Sequence, residues 1–306
     1  MIWRRLLLAI PDLELVPSYV FDRVGRLARA FDAHVDLFHC LYEPSFAPRP
    51  GAHDQAAQRI AEHVQERRRR LERLADILRE QGVAVSASVR WDYPVYEAVI
   101  RQALRYKADV LIAPALSAQE PARTVAYREQ RLIEQAPCAV LLLRTQEVYA
   151  RGGVVAEVDP PHARDGDGEV DLDEIVIGAA KTVAGALGDV PVHLHHAVPL
   201  SGEGVGANTL AARSEQRVRR LAELHSVRAA HACVEYGEPS TTLPTYVRSA
   251  RAQALVIGVG SSARSAAVLG ERLAESIECD LLVVKSRYEH PAVGSQPSPA
   301  VLPQPL

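Results

Sequence analysis

The sequence predicts an α/β protein made of two tandem Rossmann-like domains, each a five-stranded parallel sheet covered by helices. Three observations carry this. Short apolar runs alternate with long helical periods along the whole chain, which is how parallel strands buried on both faces read. A set of motifs in the first half returns in the same order in the second, the mark of an internal repeat. The composition, 48% hydrophobic and 24% charged over 306 residues, suits an ordinary globular protein and supplies two cores at about 100–200 residues per domain.

The repeat is read from paired motifs. Ala108-Asp-Val-Leu-Ile-Ala-Pro matches Ala252-Gln-Ala-Leu-Val-Ile-Gly, and Trp91-Asp-Tyr-Pro matches Tyr236-Gly-Glu-Pro. Leu132-Ile-Glu-Gln-Ala-Pro-Cys-Ala-Val-Leu-Leu-Leu-Arg matches Leu273-Ala-Glu-Ser-Ile-Glu-Cys-Asp-Leu-Leu-Val-Val-Lys, and Val35-Asp-Leu-Phe-His matches Val192-His-Leu-His-His. In the first half the apolar runs predict strands at 6–10, 35–41, 83–89, 110–113 and 139–143, with helices at 18–31, 54–80, 94–106 and 122–135. In the second half they predict strands at 154–158, 192–198, 229–234, 255–259 and 281–284, with helices at 172–187, 207–225, 240–251 and 268–277. A two-fold repeat of five strands fits two open sheets better than one eight-stranded barrel. The domains are placed at 1–148 and 149–287, followed by a Pro-rich tail at 288–306 that is expected to be disordered.

Composition also excludes. With 35 basic and 38 acidic residues the formal charge is −3, unlike the basic footprint of a nucleic-acid binder. Aromatics make up 5%, too few for single-strand stacking platforms. Cys40, Cys138, Cys233 and Cys279 sit in apolar runs without Cys-x-x-Cys spacing and read as small buried hydrophobes. The apolar run ending at Ile10 is too short for a signal peptide, and Asp12 and Glu14 follow at once. No stretch approaches the ~20 apolar residues of a membrane helix, so a cytoplasmic location is expected. The insertion from Pro160 to Asp171 is turn-rich and acidic, a solvated loop. Its Asp165, Asp167 and Gly168 lack the spacing of an EF-hand calcium loop.

Gly237-Glu-Pro, then Ala252-Gln-Ala-Leu-Val-Ile-Gly-Val-Gly, then the run from Ser265 to Lys285 resemble the universal stress protein domain. Two copies in one chain resemble its tandem, UspE-like branch. The resemblance covers about residues 3–287 and is stronger in the second copy. It implies the five-stranded sheet of the adenine nucleotide alpha hydrolase-like group, a cytoplasmic location and pairing of domains through their fifth strands, here 139–143 and 281–284. It also implies a part in surviving stress, including DNA-damaging agents.

One branch of that family binds ATP through Gly-x2-Gly-x9-Gly-Ser/Thr before a helix. Glycines admit phosphate to the backbone and the helix N-terminus offers free N–H groups. The candidate ligand cleft of the second copy is Asp159, Gly258, Gly260, Ser261, Ser262, Gly270 and Glu271. Gly260 and Gly270 keep the nine-residue spacing, but Ile257 stands where the first glycine belongs and Glu271 replaces the Ser/Thr. An anion gains about 0.3–1 kcal/mol from a helix N-terminus, whereas a carboxylate about 4 Å from a phosphate charge costs about 4 kcal/mol at an effective dielectric of 20. Repulsion wins if Glu271 faces the cleft, and Ser261, Ser262, Arg264 and Ser265 are the compensating donors. In the first copy Pro114 takes the place of Gly258 and removes an N–H donor. Asp12 reads as the match of Asp159, either a base contact or a strand-end turn acid. No triphosphate is expected there.

The remaining constellations read as structure. His193 and His195 share one face of a strand and His196 the other, with His39 in its place in the first copy. Packed histidines are expected rather than a metal site. Arg67 to Arg70 spread around a helix, with Glu66 four residues before Arg70. No Gly-x-Ser-x-Gly elbow, Walker loop or pyrophosphatase loop is present, so no catalysis is expected. The expected protein is a non-enzymatic stress protein that acts through protein partners or an unidentified small ligand, without direct contact to nucleic acid or membrane. A chain-to-chain homodimer is left open. Two alternatives stand beside it: ATP binding with slow hydrolysis in the second domain, and binding of an apolar or lipid-like metabolite.

Overall fold

The computed structural model describes residues 2–46, 53–115, 122–144, 152–159, 172–198, 205–259 and 276–285. The first half runs β1 (Arg5–Ala9), α1 (Ser18–Phe31), β2 (His34–Leu41), α2 (His53–Glu80), β3 (Ala84–Trp91), α3 (Val95–Tyr106), β4 (Val110–Pro114), α4 (Ala122–Gln135) and β5 (Ala139–Leu143). The second runs β6 (Val154–Glu157), α5 (Leu172–Ala186), β7 (Val192–Val198), α6 (Val205–Leu224), β8 (Ala232–Tyr236), α7 (Pro239–Ser249), β9 (Ala254–Val259) and β10 (Asp280–Lys285). Every predicted strand is present. The strand expected at 229–234 starts later because Ala229–His231 form a short helical turn. The helix expected at 268–277 lies outside the described residues apart from its last two, as does the tail.

The apolar runs form strands because both faces of the sheet are covered. In β1 and just beyond it, Leu6, Leu8 and Ile10 join one core, and Leu7 and Ala9 join the other, following the alternation of a strand. The first core is closed by α1, α2, α5 and α6, and the second by α3, α4 and α7. Helices α1 and α3 stop where Asp32 and Lys107 turn left-handed (φ 49° and 54°), each returning its N–H to carbonyls of the last turn.

The two expected sheets are one. All ten strands lie in the order β3-β2-β1-β4-β5-β10-β9-β6-β7-β8. Pairing is parallel within each half and antiparallel where the halves meet, with Val140 opposite Val283, Leu141 opposite Leu282 and Leu142 opposite Leu281. Leu141 and Leu282 are equivalent positions of the repeat, so a pseudo-two-fold axis passes between them. Each fifth strand thus hides the other's apolar edge. Buried polar contacts fix the junction. Arg23 of α1 forms an ion pair with Asp280, which also accepts the Arg144 backbone N–H at 2.9 Å. Lys285 Nζ donates to the carbonyls of Glu134 (3.2 Å) and Ala136 (2.6 Å) at the end of α4. Because the halves run antiparallel, their strands end on opposite sides of the molecule.

Candidate functional site

In an open α/β sheet a ligand sits beyond the carboxyl ends of the strands where the strand order reverses. That point lies between β1 and β4 in the first half and between β6 and β9 in the second. Of the predicted cleft residues, Asp159 and Gly258 are described and stand at these ends in the second half. Gly260, Ser261, Ser262, Gly270 and Glu271 lie outside the described residues. Asp159 is half exposed, with its carboxylate 4.0 Å from His196 Nδ1, and its N–H donates to Asp173 Oδ1 at 2.9 Å. Gly258 has a packing reason of its own: a Cβ there would come within 2.7 Å of Leu172 and 2.8 Å of Val176, both on α5.

Strand register corrects one expected equivalence. Ala9 pairs with Phe38 and Glu157 with His195, and His39 Nδ1 bonds the Ile10 carbonyl (2.8 Å) just as His196 Nδ1 bonds that of Val158 (2.9 Å). Pro11, and not Asp12, therefore holds the place of Asp159. Asp12 lies one residue further on and accepts the Glu14 N–H at 2.8 Å, a turn acid. Pro114 does hold the place of Gly258, opposite Leu143 as Gly258 is opposite Val284. At the switch point of the first half, prolines thus replace both Asp159 and Gly258.

A shallow apolar depression opens there. Its floor is Ala9, Phe38, Cys40 and Ala113 from three adjacent strands. Val95 and Val99 of α3 form one wall and Leu132 of α4 the other, with Pro11 and Pro114 at the strand ends. Its polar contributors are Tyr96 and Arg128. The Tyr96 hydroxyl is already turned to Glu97 Oε1 at 3.3 Å. Burial pushes the Cys40 thiol up to about 12, so it remains a neutral apolar surface and not a nucleophile. The candidate residues of the sequence lie in the second half; the sequence signal for this cleft is the absence of glycine from Ala113 to Arg144, which removes phosphate chemistry and leaves the alternative of an apolar ligand.

The histidine cluster has partners the sequence did not reveal. His195 is 0% exposed; its Nδ1 lies 2.5 Å from Glu157 Oε2 and its Nε2 3.2 Å from Glu235 Oε2. Burial works against its charge, but the two carboxylates outweigh that and raise its pKa. Burial raises Glu157 as well, against the pull of His195. Tyr246 of α7 covers His195 with rings 4.9 Å apart, and burial with Cys233 and Glu235 nearby pushes its hydroxyl up to about 12. His193 stacks on His231 at 4.3 Å. The first half has Ala9, Phe38 and Arg90 where Glu157, His195 and Glu235 stand. Among the described residues no group of three or more His, Cys, Asp or Glu is arranged to hold a metal ion, and none of their helices is long and apolar enough to cross a membrane.

The other singled-out groups are structural. Cys40, Cys138 and Cys279 are buried free thiols, and Cys233 is half-buried. Arg70 pairs with Glu66 (3.1 Å) and with Glu14, which Arg67 also approaches at 3.6 Å.

Comparison with known proteins places the chain. Residues 3–144 match the model of the Universal stress protein family. Universal stress protein E of Photorhabdus laumondii is 21% identical over 222 residues, 67% of this chain and 70% of that protein. Two crystal structures from Pseudomonas aeruginosa superpose at a TM-score of 0.67. One is a functionally unknown protein of strain PAO1 (22% identical, 92% of each chain), and the other is a putative universal stress protein of strain UCBPP-PA14 (23%, 92% of this chain and 93% of that). A universal stress protein of Archaeoglobus fulgidus superposes at 0.58 with 12% identity, over 92% of this chain and 96% of that. At these identities the superpositions show the fold.

Proposed function

This chain belongs to the universal stress protein family, and from that premise we propose that it is a non-enzymatic, cytoplasmic stress protein working as a binding module. Its ligand is a small apolar molecule seated in the first-half cleft, and its output is transmitted to protein partners in the response to stress, DNA-damaging agents included. The observation that carries this reading is the pairing of an apolar floor with Pro11 and Pro114 at the switch point. Prolines lack the N–H donors that a phosphate needs, while an apolar lining with few polar groups is the usual surrounding of an apolar ligand. Titration calorimetry with MgATP is the test. No saturable heat is expected. Saturable 1:1 binding of MgATP would overturn the reading.

The nucleotide reading keeps one support, the half-exposed Asp159 at the end of β6 beside β9. It predicts ATP binding that a bulky residue at Gly270 weakens and that Glu271→Ser tightens.

A further inference from the structure

We infer that the outer edge of β3 is a docking strand for a second copy of this chain, which joins it antiparallel about a two-fold axis through Ala87. β3 ends the ten-stranded sheet, and no strand among the described residues pairs with its outer side. An open edge is ordinarily guarded by shortness, charge, proline or a bulge. β8, at the opposite end, is guarded: it has five residues, carries Glu235 and starts late behind the Ala229–His231 turn. β3 has eight residues in unbroken register with β2, without lysine, acid or proline, and its one charge, Arg90, stands next to its end. The direction of its backbone follows from two bonds. The Asp92 N–H donates to the Leu41 carbonyl of β2 at 3.2 Å, and the peptide groups of a strand alternate between its two sides. Ser86, Ser88 and Arg90 therefore bond β2, while Val85, Ala87 and Val89 turn their N–H and C=O outward. Arg79 of α2, outside the ladder, donates to the Val85 carbonyl at 3.4 Å, as that direction requires.

The outward groups suit a second copy. Val85-Ser86-Ala87-Ser88-Val89 reads the same in both directions. Laid antiparallel on itself, it sets Ala87 against Ala87 and Val85 against Val89, and each pair exchanges both its N–H···O bonds. The faces agree as well. Val85, Ala87 and Val89 pack on the first core, and the Ser86 and Ser88 hydroxyls donate to Asp36 at 2.8 and 3.2 Å on the other face. A two-fold axis normal to the sheet keeps like face beside like, so valine meets valine. Charge is complementary above the seam. Because β2 and β3 are parallel, the α2 that crosses between them runs opposite to both. Ala87 lies about 16 Å along the strand from Gly82, the length of about 11 residues of helix, so the axis passes α2 near Arg70. The row Arg68, Glu72, Asp76 and Arg79 has helical spacing and lies on the side from which Arg79 reaches the β3 edge. The α2 of the second copy lies antiparallel beside it, and the exposed Arg68 of each faces Glu72 and Asp76 of the other. Such an isologous contact closes at two chains, since β8 is guarded.

Sedimentation of the full chain over rising concentration tests this. A reversible species of twice the chain mass is expected, and added salt is expected to weaken it. Ala87→Pro takes away the outward N–H at the axis without touching a bond to β2, which an edge strand tolerates, and is expected to weaken dimerisation about tenfold. Arg68→Glu, at an exposed helix position, is expected to weaken it severalfold, and Arg68→Gln less. Matching thermal unfolding at monomer concentration confirms that the variants fold. Amide exchange on the parent chain needs no substitution: Ala87 and Val89 are expected to slow at dimer concentration while Ser86 and Ser88 keep their rates. A chain that stays monomeric throughout the micromolar range overturns the proposal. A dimer that Ala87→Pro leaves intact, with exchange at Ala87 and Val89 unchanged, also overturns it and seats the contact elsewhere on the molecule.

Discussion

At the scale of single residues, Glu157 and His195 make the sharpest prediction. Each alone is a buried group that depends on the other, and the first half shows that Ala9 and Phe38 fill the same two places. His195→Phe leaves Glu157 without its partner and is expected to cost about 3–5 kcal/mol, whereas Glu157→Ala with His195→Phe together is expected to be near neutral. Urea unfolding of the two single variants and the double one measures this. Two equal costs that simply add would show that the groups are not coupled. The same pair sets a pH dependence. His195 has a folded pKa above its unfolded value of about 6.5, so its contribution is complete below that value and is lost as pH rises through the raised one. Glu157 is raised too, which also makes the folded state hold more protons than the unfolded. Stability is therefore expected to fall as pH climbs from 6 into the alkaline range, and the double variant is expected to flatten that slope. Gly258→Ala is expected to destabilise by about 1–3 kcal/mol through crowding against Leu172 and Val176, measured by the shift in urea midpoint.

At the scale of elements, apolar runs and their repetition located the strands, because central strands buried on both faces, such as β4 and β5, show almost only apolar positions. The ends of elements were less legible. Asp32 and Lys107 close α1 and α3 in a left-handed conformation that usually draws glycine, so no residue type announced those stops. The cleft was legible only by half. Pro114 in place of Gly258 could be read from the repeat, and it removed phosphate chemistry from the first half. That Ala9, Phe38, Cys40 and Val99 meet around open space depends on the spacing of α3 and α4 above the sheet, which no local pattern records. The Glu157–His195–Glu235 line was hidden for a related reason: it joins three strands side by side, and only strand register brings its members together. The β5–β10 seam carries a prediction of its own. Asp280→Ala removes the carboxylate that meets Arg23 and the Arg144 N–H, and is expected to cost about 3–5 kcal/mol in chemical denaturation. A change under 1 kcal/mol would mean that the apolar pairing of the two strands suffices.

At the scale of the whole molecule, the duplication lets one chain do what two would otherwise do. The fifth strands meet as equivalent edges about the Leu141–Leu282 axis, an isologous contact made permanent by the covalent link. Residues 1–148 expressed alone expose the β5 edge and are expected to dimerise, which sedimentation analysis reads directly; a stable monomer would mean the edge is protected some other way. Once joined, the halves have diverged. The first keeps an apolar cleft with prolines at its rim, and the second has placed the buried Glu157–His195 pair where the first has alanine and phenylalanine. The first-half cleft is proposed to hold a ligand without phosphates. The most direct measurement is the native mass of the gently purified full chain beside that of Val95→Trp, which fills the cleft mouth, both with MgATP present. A small non-nucleotide adduct is expected on the parent chain and absent from the variant. A nucleotide adduct of equal occupancy on both would contradict it and seat the function in the second half.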